Sequence, residues 1–532
     1  MRRRRKGTVA LVLAALFVVA APLSNAQQPK RDAKEVVADV GRAMGAANLK
    51  SVQYSGTGYY FWLGQGYRAI DPWPKFTLRN YTRLLDYNNG AYEEKLAWTE
   101  TPADFAANQR GGGLTPLKGE GIGQDNFLGG DYAWNLAPNG NAAPQSRAVA
   151  EERQLRLAIT PDGWIKAAMS TNPTMESKKV DGKPMTEVSF LWKGKYKVNG
   201  YVDSQNMLER VETWIPQPIL GDMPVEADYS EYKDFSGVKF PTRIVQKEGG
   251  YPVLDLTVTD VVPNAAANIK VPDAAHNAPA PLRVVTQPLT DGVWILRAGT
   301  QSLAVEFKDY VAIIDGAGNE DRSLAVIAET KKLVPNKPIK YVINTHHHLD
   351  HSGGLRTFVA EGVTIITAAE NKPYFEKIFK LPHNLDPDEL AKNPKAAAFI
   401  TVKDKYVLTD GNQSIELYRL LDDKYPDHQN SHAPDLLMAY LPKQKVLAEA
   451  DFFNPAPPPP PNAPVATINL IGNKENLRDN IKRLKLDVQQ FVPMHYNNGA
   501  VPFAQLQTEI DIEHAQLEAF DKQNSSSSAA RE

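Results

Sequence analysis

Thr345 to His351 reads Thr-His-His-His-Leu-Asp-His, a run that few folds can accommodate. Upstream, Ile339 to Asn344 is short, apolar and rich in β-branched residues, which predicts a buried strand. Downstream, Ser352-Gly353-Gly354 leads into a helix-like stretch from Leu355 to Ala360. The polar run therefore sits on a strand-to-helix turn. His346 and His348 share one side while the chain is extended, and the turn carries Asp350 and His351 to a second position. Imidazole nitrogen and carboxylate oxygen are ligands of zinc and similar divalent ions. Four of the chain's ten histidines fall here, inside an ordered pattern rather than in a low-complexity tail. The arrangement points to a two-metal site.

The amino terminus is a targeting pattern. Met1 to Lys6 carries four arginines and a lysine, Val9 to Ala21 is uninterruptedly apolar, and Ser24-Asn25-Ala26 offers small residues for cleavage. A membrane span needs about 20 apolar residues, more than this run supplies. Residues 1–26 are therefore expected to be a signal peptide, giving a periplasmic or secreted protein with no stable membrane insertion after cleavage. The paired arginines permit twin-arginine export, although general secretion is the simpler route. The chain has no cysteine, so it has neither disulfides nor thiolate ligands. A sequence of 532 residues can bury enough apolar surface without such staples. A net charge of −2 leaves no electrostatic footprint for nucleic acid, and the expected partner is a small-molecule substrate.

Residues 27–280 read as a β-rich α+β antiparallel-sheet domain. Lys30 to Ala47 places Val36, Val37, Val40 and Met44 at helical spacing. Val52 to Leu63 predicts a strand, Arg110 to Gly130 a glycine-rich loop, and Ala148 to Ile159 and Asp162 to Ala168 helices. From Met185 to Val262, turn signals such as Lys193-Gly194 and Gly249-Gly250 punctuate β runs. Leu254, Leu256 and Val258 alternate with polar residues, so one face is wet. The strand spacing and the phrase Phe235 to Pro241 resemble lipoprotein-carrier and outer-membrane lipoprotein-sorting domains. That resemblance implies a cradle for an apolar or extended ligand; a sheet that merely packs on its neighbour is the alternative. The Pro/Ala/Asn-rich stretch from Val262 to Pro281 marks a domain boundary.

From Thr286 short strands alternate with helices, as in a layered α/β domain. Leu381 to Ala398 reads as a helical insertion near the mouth of the site. Asn473 reads as the cap of a helix running to Lys485, Phe503 to Lys522 as the last helix, and residues 523–532 as a disordered tail. Asn454 to Pro464 reads as stiff polyproline, either a wall of the cleft or a spacer.

Residues 286–522 resemble the metallo-β-lactamase-fold hydrolases. His346, His348, Asp350 and His351 match the signature loop. His432 precedes the apolar run Leu436 to Tyr440, Val446 to Asp451 ends in an acid, and Phe491 to His495 supplies a late histidine, all in the family's order. The resemblance implies an αββα sandwich of two sheets with helices outside. It implies that His346, His348 and His432 bind one metal, that Asp350, His351 and His495 bind the other, and that Asp451 bridges them. It departs from the family at Asn430-Ser431, where a glycine usually precedes the third ligand. Two ions about 3.5–4 Å apart can hold a hydroxide between them and polarise a scissile oxygen, with Asp350 placed to hold the water and shuttle its proton. His347 alternates away from the ligands, His276 and His514 read as surface positions, and His428 reads as a solvated loop residue, with substrate contact as the alternative.

These observations favour an exported hydrolase with two Zn²⁺ ions, acting on a small ester, thioester, lactone or lactam bond. A true β-lactamase is the first alternative. Against it, Asp451 resembles the bridging acid of the family's thioesterases and lactonases, which lactamases typically lack. A nuclease of this fold would need basic patches. An apolar-ligand binding protein with a structural metal is disfavoured, because structural zinc sites are closed four-ligand cages. The ligand types also suit redox iron.

Overall fold

Between Ser51 and Pro263, β-branched and aromatic residues alternate with tight turns, and the result is one antiparallel sheet of thirteen described strands. The computed structural model describes residues 32–99, 122–137, 139–277, 282–316, 318–425, 427–455 and 468–529. The signal-peptide segment and most of the proline-rich run lie outside them. Neighbouring strands follow sequence order except at one seam. There the first strand, Ser51–Phe61, pairs with the last, Tyr251–Pro263, from Val52 opposite Pro263 to Tyr60 opposite Leu254. The turns are built from positive-φ pairs such as Lys193 (49°) with Gly194 (68°), which match the twist of the flanking strands.

Helix Ala33–Met44 packs Val36, Val37, Val40 and Met44 against one face of this sheet. Its start is fixed by a capping box between Asp32 and Glu35, a device worth about 1 kcal/mol. Helices Arg147–Ala158 and Pro161–Met169 join the same core, with Trp164 fully buried.

The second half forms four layers. A seven-stranded sheet spans Val285–Thr290 to Phe399–Val402, and a six-stranded sheet spans Lys405–Thr409 to Val501–Pro502. Val293, Ile295, Leu303 and Ile343 of the first meet Leu417, Ala439, Ala448 and Val492 of the second in a dry core. Helices Glu320–Leu333 and Leu355–Ala360 cover one outer face, and Ile468–Leu484 and Phe503–Ala529 the other. This is the expected αββα sandwich behind a β-rich domain.

Four local expectations need correction. Leu381 to Ala398 contains a single helical turn, Glu389–Lys392; Pro382, Pro387 and Pro394 break any longer helix. This segment instead docks on the first domain, where Asp222 accepts from the backbone N–H of Asn384 and Leu385 at 3.0 and 2.9 Å. Asn473 lies inside helix Ile468–Leu484 rather than capping it, because its buried side chain accepts from Ser431 Oγ at 2.9 Å. The glycine-rich stretch to Gly130 includes a strand, Ile122–Gly129, because pairing with Ala91–Thr99 outweighs local glycine preference. Finally, the last helix continues to Ala529 through the segment expected as tail, since extending a formed helix needs no new nucleus.

Candidate metal centre

Strand Ile339–Ile343 ends in the sandwich core, and the chain leaves it through Asn344. Asn344 is fully buried and ties the next turn together. Its Nδ2 donates to the carbonyls of His346 and His351 at 2.6 and 3.4 Å, and its Oδ1 accepts from Thr367 Oγ1 at 2.9 Å. Ser352 Oγ donates to the carbonyls of His347 and His348 at 3.0 and 2.9 Å. The turn can close this tightly only beside small residues. A Cβ on Gly353 would lie 1.9 Å from the Gly318 carbonyl oxygen.

The side chains converge as two donor groups. His346, His348 and His432 form one; Asp350, His351, Asp451 and His495 form the other, and within each group the candidate ligand atoms lie within 4.8 Å of one another. Asp451 stands between the groups. Its Oδ2 is 3.3 Å from His346 Nε2, 3.4 Å from His432 Nε2 and 3.0 Å from His351 Nε2, and its Oδ1 is 2.8 Å from His495 Nε2. Despite those neighbours Oδ2 accepts no hydrogen bond. Asp451 adopts a left-handed backbone (φ 68°) just past strand Val446–Glu449. Such strain persists only where the surroundings impose it.

Partners on the far side of the rings fix their tautomers. His348 Nε2 donates to the Gly66 carbonyl at 2.9 Å, so its Nδ1 keeps a lone pair; that atom is buried and unpartnered. His351 Nδ1 donates to Asp315 Oδ2 at 2.6 Å, which leaves Nε2 to face His495 Nε2 at 2.9 Å. Buried lone pairs aimed at one another fit a cation between them, and the donor set of imidazole and carboxylate suits a divalent one.

Electrostatics agree. Burial and the facing rings of His351 and His348 hold the His346 pKa well below the usual histidine range. Burial and His432 do the same for His348. His351 moves upward despite its burial, because Asp315, Asp451 and Asp350 surround it. His495 likewise rises to about 10 against burial, through Asp451 and Asp350. The same imidazoles overcome burial to push the Asp350 and Asp451 carboxyls below their ordinary range. The second group thus demands positive charge. Glu449, two residues before Asp451, moves the other way, to about 8, because it is buried.

The remaining histidines lie outside both groups. His347 Nδ1 donates to Asp435 Oδ1 at 2.7 Å and its Nε2 to Gly66 O at 3.0 Å. Donation from both nitrogens requires the imidazolium form, and its pKa is raised against burial by Asp435. His428 is exposed beside Asp423, His383 is buried next to Asp388, His276 packs on Tyr132, and His514 pairs with Glu475.

A segment from the first domain completes the centre. The connection after Phe61 runs over the ligand turn: Gln65 Nε2 donates to Asp350 Oδ1 at 2.8 Å, Leu349 N donates to Gly64 O at 3.4 Å, and Tyr67 OH donates to Gln429 Oε1 at 3.2 Å. Gly64 (φ 78°) has no substitute here, since a Cβ would lie 2.3 Å from Leu349 Cγ. Neither this loop nor Asp435 is identifiable from the sequence. Asp315 carried one signal, an acid directly after the apolar run Val311 to Ile314.

Residues 297–493 match the model of the metallo-beta-lactamase superfamily. Six of the seven donor residues fall inside the match, and His495 lies two positions beyond it. A linear primary-alkylsulfatase from Pseudomonas sp. (strain ATCC 19151) is 39% identical over 57 residues, 11% of this chain; the match spans 11% of that protein's length. Among solved structures, a metallo-beta-lactamase from Pontibacter korlensis is similar at 17% identity and a TM-score of 0.32, covering 44% of this chain and 99% of that one. The mono-zinc form of the metallo-beta-lactamase FIM-1 from Pseudomonas aeruginosa shows 17% identity and a TM-score of 0.31, covering 44% and 96%.

Proposed function

We propose, taking the C-terminal domain as a metallo-β-lactamase-superfamily hydrolase, that this protein is an exported two-zinc enzyme that cleaves an ester, thioester, lactone or lactam bond in a small molecule. The observation that carries the reading is Asp451, whose carboxylate faces both donor groups with one oxygen unpartnered. His346, His348 and His432 would hold one ion, and Asp350, His351 and His495 the other, with Asp451 shared. Ions so held supply an acidified water near neutral pH and polarise the oxygen of the scissile group.

The chain's own residues do the rest. Asp315 and Gly66 fix the rings of His351 and His348 from behind, so each presents a chosen nitrogen. Gln65 holds Asp350 Oδ1 and leaves Oδ2 turned toward His351 and His495 at 3.5 and 3.4 Å. That oxygen is placed to accept the proton released when water attacks. Asp350 and His495 are also the exposed edge of the cluster, with side chains 42% and 27% accessible.

The candidate bonds are carboxylic ester, thioester, lactone and lactam. The alkylsulfatase likeness adds sulfate ester to the panel. The test is metal analysis of the purified mature protein by plasma mass spectrometry with an Asp350→Ala variant, followed by that substrate panel. About two zinc per chain, fewer in the variant, with turnover of one bond class lost in the variant, supports the proposal. Iron in place of zinc, or no stoichiometric metal when metal is supplied, sinks it. Amino-terminal sequencing of the exported product checks cleavage after Ala26.

A further inference from the structure

Both domains line an open cavity of about 850 Å³. The first domain contributes Ile70 and Trp73 from the loop that carries Gln65, together with Leu220 and Met223; the second contributes Tyr374 and Ile378. Its polar lining residues are mostly engaged elsewhere. Asp222 accepts from Asn384 N and Leu385 N, Asn371 Nδ2 donates to Asp435 and Thr367, Glu370 pairs with Arg419, and Trp73 Nε1 donates to the Glu248 carbonyl at 3.1 Å. Apart from Arg68 and Lys377, what remains facing the space is mainly hydrocarbon and aromatic surface. Ile70, 70% exposed, stands as an apolar residue on the same loop, and the cationic side chains lining the cavity are Arg68 and Lys377.

None of the donor residues lines the cavity, but one lining residue borders the ligand turn. Asp435 lines it and also holds His347, the residue between two of the candidate ligands. Gln429, another lining residue, is hydrogen-bonded to Tyr67 of the same loop. A space of this size falls within the range of about 300–1,000 Å³ that encloses small ligands, and apolar walls with few free polar groups select an apolar body. We infer that the cavity holds the alkyl or acyl chain of an amphiphilic substrate whose polar, scissile end lies at the metal centre. The first domain then supplies half of the specificity wall. This inference rests on the hydrolase reading for the scissile end, but the chain site itself stands on the cavity alone.

The experiment separates the two. The metal-loaded protein is titrated calorimetrically with 1-decanol, which has the chain but no cleavable bond. In parallel, kcat/KM is measured for p-nitrophenyl decanoate and p-nitrophenyl acetate. Two variants are compared: Ile70→Glu, at an exposed position where folding is not at stake, and Met223→Trp, which fills the space. The expected result is 1:1 decanol binding weakened at least tenfold in both variants, with the decanoate-to-acetate ratio of kcat/KM falling at least tenfold. No decanol binding to the unmodified protein, or binding that neither variant weakens, overturns the inference. Equal loss on both esters also overturns it, because the site would then not read the chain. Variant-sensitive decanol binding in a protein that cleaves no ester, thioester, lactone, lactam or alkyl sulfate keeps the chain site and removes the hydrolase reading.

Discussion

Gln65 and Asp350 are 285 positions apart in sequence and 2.8 Å apart in space, Nε2 of the amide donating to Oδ1 of the carboxylate. The contact makes the first domain part of the metal centre. Groups that orient ligands from behind typically change activity or metal affinity 10- to 100-fold when removed. Gln65→Ala is therefore expected to lower kcat/KM by about 10- to 100-fold while the chain still folds. Steady-state kinetics with metal content measured on the same samples checks it; an unchanged kcat/KM would show that Asp350 needs no outside support.

Asp315 holds His351 from the side away from the donor cluster. Asp315→Asn keeps the shape and removes the charge. The second ion should then bind roughly 10- to 100-fold more weakly, while the site of His346, His348 and His432 keeps its ion. Competition with a chromophoric chelator resolves the two affinities. Equal weakening of both ions would contradict the separation of the two groups.

Metal removal should destabilise the second domain by mass action. A ligand present at 100 times its dissociation constant stabilises the state that binds it by about 2.7 kcal/mol. Calorimetric scans with and without chelator should show the transition of that domain moving down by several degrees, and returning when zinc is restored. A transition that ignores chelator would mean that no structural ion is held.

Asp162 gives a pH prediction away from the metal. It is fully buried near the start of helix Pro161–Met169, neither carboxylate oxygen has a hydrogen-bond partner, and burial raises its pKa to about 7. The folded chain therefore favours the protonated acid. Stability from this group is complete below its unfolded pKa of about 4, declines as pH rises toward 7, and is lost above that. A shift of this size corresponds to roughly 3–5 kcal/mol. Urea unfolding at pH 4.5 and pH 8 should show that difference shrinking in Asp162→Asn, with the variant the more stable at pH 8. An identical pH slope in both proteins would exclude Asp162 as its source.

His346, His348, Asp350 and His351 are legible because their signal is local, whereas His432, Asp451 and His495 follow only from the family resemblance. A buried strand, a turn with alternating ligands and two glycines can be recognised within the sixteen residues from Ile339 to Gly354, and Gly353 shows why the small residues follow. The meander from Met185 to Val262 was legible for the same reason, through its turn pairs and alternating burial. What could not be read is non-local. Gly66 and Gln65 sit in an unremarkable loop, and their role appears only when the first domain lies against the second. Asp435 is an ordinary acid until His347 closes on it. The segment 381–398 has little β character and so reads as helix, whereas its prolines and its contact with Asp222 leave a single helical turn.

The seam between Ser51–Phe61 and Tyr251–Pro263 bears on the order of folding. Every other neighbouring pair in that sheet joins consecutive strands, so it can zip up soon after synthesis, whereas the seam must wait until residue 263 has emerged, and contacts so distant in sequence form slowly. The loop that reaches the donor groups begins at the end of Ser51–Phe61, the early partner in that seam. The contacts of Gln65 with Asp350 and of Gly66 with His348 therefore tie the support of the donor groups to the assembly of the first domain, although every donor residue belongs to the second.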